Sequence, residues 1–273
     1  MQELLVNPVV QGAIVPFVAG LIVTAVLFRL KLAGLSAVAG FIATVYLVGG
    51  FEFEPLTIVR KIVLVGLIAP IVGAAADFLF KPTRATAPLL GLVAGAVSVW
   101  VFLSLLKQKE LAQAMLFGAG TVACVAWFVG SSLTLRGDSV RAGAAGFALG
   151  LGVGVDGILA ASALLGLYAM ALGTASSAFL LVQMLMGRRI FAGIAFTLTV
   201  GLLAGLLGAA AIYLAQLPWY ALAVMALVPL AARVPVPAKW PVWGQTVAVC
   251  ACALSVAAVS CFLVWESSRG AAG

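Results

Sequence analysis

From Ala142 to Gly187 the chain runs for 46 residues with a single charged side chain, Asp156. About 20 apolar residues cross a hydrocarbon core as a helix, so this run predicts two membrane helices joined by a short turn. The rest of the chain has the same texture. Of its 273 residues 65% are hydrophobic and only 8% are charged, with a mean hydropathy of +1.26. A soluble domain carries about a quarter charged residues, and a chain this apolar cannot cover a water-facing surface. Long unbroken runs predict helices rather than barrel strands, in which apolar and polar residues would alternate. The chain therefore reads as an all-α, polytopic membrane protein.

Apolar runs bounded by charge, Pro or Gly predict ten spans: 8–28, 32–50, 62–80, 87–106, 111–133, two within 142–187, 190–214, 219–232 and 242–265. The ninth is the shortest, and Pro229, Pro235, Pro237 and Pro241 make its exit irregular. Ten of the fifteen Lys and Arg follow odd-numbered spans, two per loop: Arg29 and Lys31, Lys81 and Arg84, Arg136 and Arg141, Arg188 and Arg189, Arg233 and Lys239. Loops after even spans hold only Arg60, Lys61, Lys107 and Lys109. The positive-inside rule then puts the odd loops in the cytoplasm and both termini outside, in a plasma (bacterial inner) membrane. The N-terminus has no basic region before its first apolar run, so that span is expected to stay in the mature protein. Trp219, Tyr220, Trp240, Trp243 and Trp265 fall at predicted span ends and read as interfacial anchors.

The most polar connector, Thr134 to Arg141, lies at the midpoint and divides the chain into halves 1–137 and 138–273 of five spans each. An odd number of spans per half inverts the second half, as in many secondary transporters. GAAADFLFKP (73–82) beside GAAAIYLAQLP (208–218) fits such an internal repeat; ATVYLVGG (43–50) beside the same target fits a parallel one. In length and span count the layout resembles the drug/metabolite transporter superfamily. It carries no motif of that family, and the predicted outside termini depart from the cytoplasmic termini usual in its ten-span members.

With no histidine, bis-histidine haem sites, most zinc sites and histidine acid–base chemistry are excluded. Cys124, Cys250, Cys252 and Cys261 lie in apolar runs as small core residues, and Cys250 and Cys252 face different directions on a helix. No metal, cofactor or nucleophile–base pair is expected, nor nucleic-acid binding, and the chain is not expected to be an enzyme. Few carboxylates remain. Asp77 stands four residues before Lys81, where the two can pair as an interfacial or gating ion pair. Glu52 and Glu54 form either a solvated loop or an external, cation-attracting mouth. Asp156 has three readings: at depth in span six, in a turn at GVDG, or in a break of span six at Gly152–Gly157 lining a cavity. Gly146, Gly150 and Gly154 make a small-residue face for close helix packing. Pro16, Pro70 and Pro229 sit within spans, and Pro70, Pro229, Gly154 and Gly157 are candidate hinges.

The function expected from these features is transport. The chain reads as a secondary transporter or flippase for a small amphipathic, lipid-like or cationic substrate, coupled through Asp156 and Asp77. The alternative is a non-catalytic subunit of a larger membrane complex, with GLVAGAV (91–97) and GLLAGLLGAAA (201–211) packing against other chains or a second copy.

Overall fold

The structure, a computed structural model, describes residues 7–51, 53–79, 83, 85–237 and 239–270. Among the described residues there is no strand. Helix α1 is Val15–Leu27, entered through a π turn at Val10–Ile14 and left through a 3-10 turn at Phe28–Leu30. A 3-10 turn at Ala33–Leu35 leads into α2, Ser36–Val48. Then come α3 (Ile58–Leu79), α4 (Thr86–Leu106), α5 (Leu111–Leu133), α6 (Ser139–Leu159), α7 (Ala163–Met186) and α8 (Gly193–Ala215). Two short helices, α9 (Trp219–Met225) and α10 (Val228–Ala231), precede the long α11 (Val242–Gly270). Among the described residues eight stretches are long and apolar enough to cross a membrane, whereas Ala33–Val48 and Trp219–Ala231 are shorter apolar helices. The chain is a helical membrane protein.

Local chemistry explains the departures from regular helix. Pro16 has no N–H, so the carbonyl of Gly12 loses its helical donor. The π turn ahead of it, closed by Val15 N–H on the Val10 carbonyl, also releases the Gln11 carbonyl. Threonines from neighbouring helices take up both: Thr44 donates to Gln11 at 2.6 Å and Thr174 to Gly12 at 3.3 Å. Helix α3 starts at Ile58, four residues ahead of the predicted span, and so includes Arg60 and Lys61 in its first turn. Both heads reach outward: Arg60 donates to the Pro55 carbonyl at 2.9 Å, and Lys61 to the Trp100 carbonyl at 3.3 Å.

Helices α6, α7 and α8 form the centre. Helix α7 packs along α6, α1 and α2, while α8 packs along α3 and α5; α4 packs on α5, and α11 on α6. The α6–α7 seam is made by glycine. A Cβ on Gly146 would lie 2.7 Å from Ser176 Oγ, one on Gly154 would lie 2.9 Å from the Met170 backbone nitrogen, and one on Gly150 would collide with Gly173. The backbones touch where side chains would otherwise separate them.

Side-chain contacts gather the odd-numbered loops at one end of the bundle. The Arg188 guanidinium sits 5.2 Å from the Phe28 ring centroid. Arg136 donates to the Thr83 carbonyl at 3.1 Å, Arg189 pairs with Asp138 at 3.4 Å, Arg233 reaches Thr134 Oγ1, and Arg141 donates to the Val234 carbonyl at 3.4 Å. Asp138 also caps α6 by accepting from Val140 and Arg141 N–H. Call this the basic end. Lys81 and Arg84 lie outside the described residues.

Candidate functional site

Asp156 stands in the last turn of α6, which runs unbroken through Gly152–Gly157. The chain turns at Ala160–Ser162, three residues beyond the GVDG stretch, with Ala161 at φ +64°. The site is thus at the end of the bundle opposite the basic end, roughly 26 Å along α6 at about 1.5 Å per residue. Its side chain is 1% exposed. Oδ2 lies 2.7 Å from Ser260 Oγ on α11, and the same Oγ lies 3.0 Å from the Ala221 carbonyl on α9. Oδ1 has no partner. Cys261, beside Ser260, reaches toward the Gly152 carbonyl at 3.9 Å. Among the described residues no Lys or Arg pairs with Asp156. One hydroxyl hydrogen therefore stands between two acceptors, a carboxyl oxygen and a backbone carbonyl.

Helix α9 owes its shortness to Pro229, which sits in the first turn of α10, where its missing N–H is not needed. The chain between α9 and α10 bends at Ala226–Leu227, and Leu230 N–H bonds Leu227 instead of Ala226. The released Ala226 carbonyl accepts from Trp127 Nε1 of α5 at 2.9 Å. Between α5, α8 and α9 opens a cavity of about 560 Å³, lined chiefly by Leu116, Phe117, Trp127, Tyr213, Trp219 and Leu222. Helix α9 is thus a shared wall: Leu222, Ala223 and Ala226 face this cavity, whereas Ala221 meets Ser260 and Met225 meets Gly152.

The remaining predicted residues fall elsewhere. The Asp77 carboxylate grips the start of α8, its two oxygens accepting from Ile194 N–H at 2.9 Å and Ala195 N–H at 3.0 Å. A carboxylate there complements the positive end of the helix dipole and satisfies two orphan donors. Gly193, at φ +68°, admits the approach, since a Cβ would strike Asp77. Its predicted partner Lys81 lies outside the described residues, as does Glu52. Glu54 is exposed in the loop before α3. Under that loop a second cavity, about 590 Å³, is lined by Phe51, Phe53, Arg60, Leu164 and Tyr168 among others. Neither large cavity reaches Asp156. Pro70 is buried within an unbroken α3. Gly154 and Gly157 pack against α7, where a Cβ on Gly157 would lie 3.2 Å from Gly166 N.

Ser260, Ala221, Trp127 and Tyr213 are the members that sequence reasoning missed. A serine or tyrosine in an apolar helix has no signature of partnership, and their partners lie tens of residues away. The chain matches no protein-family model, no curated protein and no solved structure.

Proposed function

We propose that this chain is a proton-coupled membrane carrier of lipid-like amphiphiles. The observation that carries the proposal is the single hydroxyl of Ser260 set between Asp156 and the Ala221 carbonyl. A carbonyl cannot donate, so an ionised Asp156 would leave one serine hydrogen to be shared between two acceptors, whereas a protonated Asp156 supplies a second hydrogen and gives each contact its own. Asp156 then donates to Ser260, and Ser260 donates to Ala221. An ionised carboxylate here would be buried without a counter-charge, at a penalty of several kcal/mol. When the proton leaves, Ser260 turns to the carboxylate and the Ala221 carbonyl loses that donor. Because α9 is also the wall of the cavity against α5 and α8, proton loss at Asp156 loosens the wall that a substrate touches. Coupling of this kind needs only that the substrate interact differently with the two arrangements.

The wider reading completes the carrier. The segment Trp219–Ala231 covers about 20 Å as helix, and the extended residues after it carry it on. Its start meets Asp156 through Ser260, and Val234 beyond its end meets Arg141 at the other end of α6. It is the ninth crossing in this account, Ala33–Val48 is part of the second, and ten crossings alternate. The basic end faces the cytoplasm of a bacterial inner membrane and the termini lie outside. The halves 1–137 and 138–273 are inverted repeats; α2 on α7 and α3 on α8 pair helices that the five-plus-five scheme makes equivalent, as elements at a two-fold axis do.

The test uses proteoliposomes holding phosphatidylglycerol with a fluorescent acyl chain, whose transbilayer movement is read by chemical quenching of the outer leaflet. Wild-type protein moves the lipid several-fold faster under an imposed pH gradient. In Asp156→Asn movement no longer responds to the gradient. No movement by the wild type, or an unaltered pH response in the variant, overturns the proposal.

A further inference from the structure

The cavity between α5, α8 and α9 selects its occupant by what its walls lack. It opens outward from the bundle: Leu116, Trp219 and Trp127 are 74%, 73% and 49% exposed, all within apolar helices. Lipid hydrocarbon therefore borders its mouth. The polar atoms inside are already engaged. Thr121 Oγ1 and Tyr213 Oη stand 2.6 Å apart, at 2.8 Å and 3.0 Å from the Phe117 carbonyl. Two hydroxyl hydrogens serve this triangle, one between the hydroxyls and one to the carbonyl, so neither is left for a ligand. The Trp127 N–H is held by Ala226. A polar body entering here would lose its hydration and find no free hydroxyl or indole donor in exchange. A hydrocarbon chain loses nothing.

The rim is different. At the α5 start, opposite the basic end, Lys109 Nζ lies 4.7 Å from the centroid of the Phe117 ring, which itself lines the cavity. Lys107 and Glu110, sequence neighbours of Lys109, are also exposed, so the turn that carries Lys109 has one net positive charge. An apolar slot below a cationic rim matches a molecule with a chain below and an anion above. We infer that this cavity holds an acyl chain of an anionic bilayer phospholipid, with its phosphate at Lys109 and Lys107. That this lipid is also the cargo rests on the carrier reading; that it occupies the slot does not.

Gly120 provides the tool. It lines the cavity, and a Cβ added there meets nothing within 4 Å, so Gly120→Leu fills the slot without disturbing the bundle. Ala223→Leu fills it from the α9 wall. The purified protein is equilibrated with equal phosphatidylglycerol and phosphatidylcholine, and retained lipid is counted by native mass spectrometry. Wild type is expected to retain phosphatidylglycerol in preference, with both filling variants losing at least tenfold of it at unchanged thermal unfolding. The double change Lys107→Gln with Lys109→Gln removes the preference but keeps a bound lipid. Equal retention of the two lipids by wild type, undiminished retention in both filling variants, or displacement of the phospholipid by equimolar oleate overturns the assignment. Asp156→Asn separates the two proposals. Lipid retained but movement no longer pH-driven supports both, whereas full retention in both Gly120→Leu and Ala223→Leu removes this site and leaves the carrier reading standing.

Discussion

In the proposed carrier Asp156 is neutral at rest, with its carboxyl hydrogen given to Ser260 and the Ser260 hydrogen to Ala221. The infrared spectrum of reconstituted protein should accordingly contain the carbonyl stretch of a protonated carboxyl. Asp156→Asn abolishes it, and Ser260→Ala moves it to higher frequency as its hydrogen bond is lost. A spectrum with carboxylate bands alone would contradict this protonation. The sequence singled out Asp156 because a lone charge in a 46-residue apolar run is visible in one dimension. Its partners were not legible, since Ser260 lies 104 residues on and Ala221 contributes only backbone. Asp77 teaches the same lesson. The i, i+4 spacing drew attention to Lys81, but its carboxylate holds backbone N–H groups of α8, and backbone donors carry no residue-type signal.

Elements were legible where length and punctuation agree. Helix α5 has its predicted bounds, Leu111–Leu133, because Glu110 and Thr134 close an apolar run on both sides. The division of the 46-residue run was less readable: Asp-Gly is a strong turn signal, yet the turn formed at Ala160–Ser162, where both helices keep spanning length. The glycine face was read correctly as a packing surface, and its partner is α7. Gly150→Leu should therefore destabilise the protein by about 3 kcal/mol or more, at the upper end for overpacking, in a detergent-unfolding titration. Gly130→Ala on α5, where a Cβ meets only the Ala87 carbonyl at 3.9 Å, should be close to neutral. Equal effects would mean that α6 and α7 are not in backbone contact. The break between α9 and α10 was foreshadowed by Pro229, although its consequence, a carbonyl taken by Trp127, required the third dimension.

At the scale of the whole molecule, small-residue runs that might have joined other chains are used within this one. Gly91 and Gly95 meet Ala126 and Val122 of α5, and Gly201, Gly205 and Gly208 meet Phe128, Val125 and Leu222. The packing of the two halves differs here: α5 lies along α8, whereas α11 lies along α6. The odd-numbered loops gather at one end of the bundle through side-chain contacts. With the four native cysteines replaced by alanine, Gly137→Cys should be labelled by an impermeant maleimide only after the membrane is opened, and Lys109→Cys in intact cells. The reverse pattern would invert the orientation.

The carrier account is tested most directly by reciprocity, because a proton gradient that drives lipid movement requires a lipid gradient to drive protons. Proteoliposomes with an entrapped pH dye are given phosphatidylglycerol in the outer leaflet alone, at equal pH on both sides. The account predicts a change of internal pH with wild-type protein and none with Asp156→Asn. An unchanged internal pH with wild type while lipid crosses the bilayer, or the same change in both proteins, would contradict it.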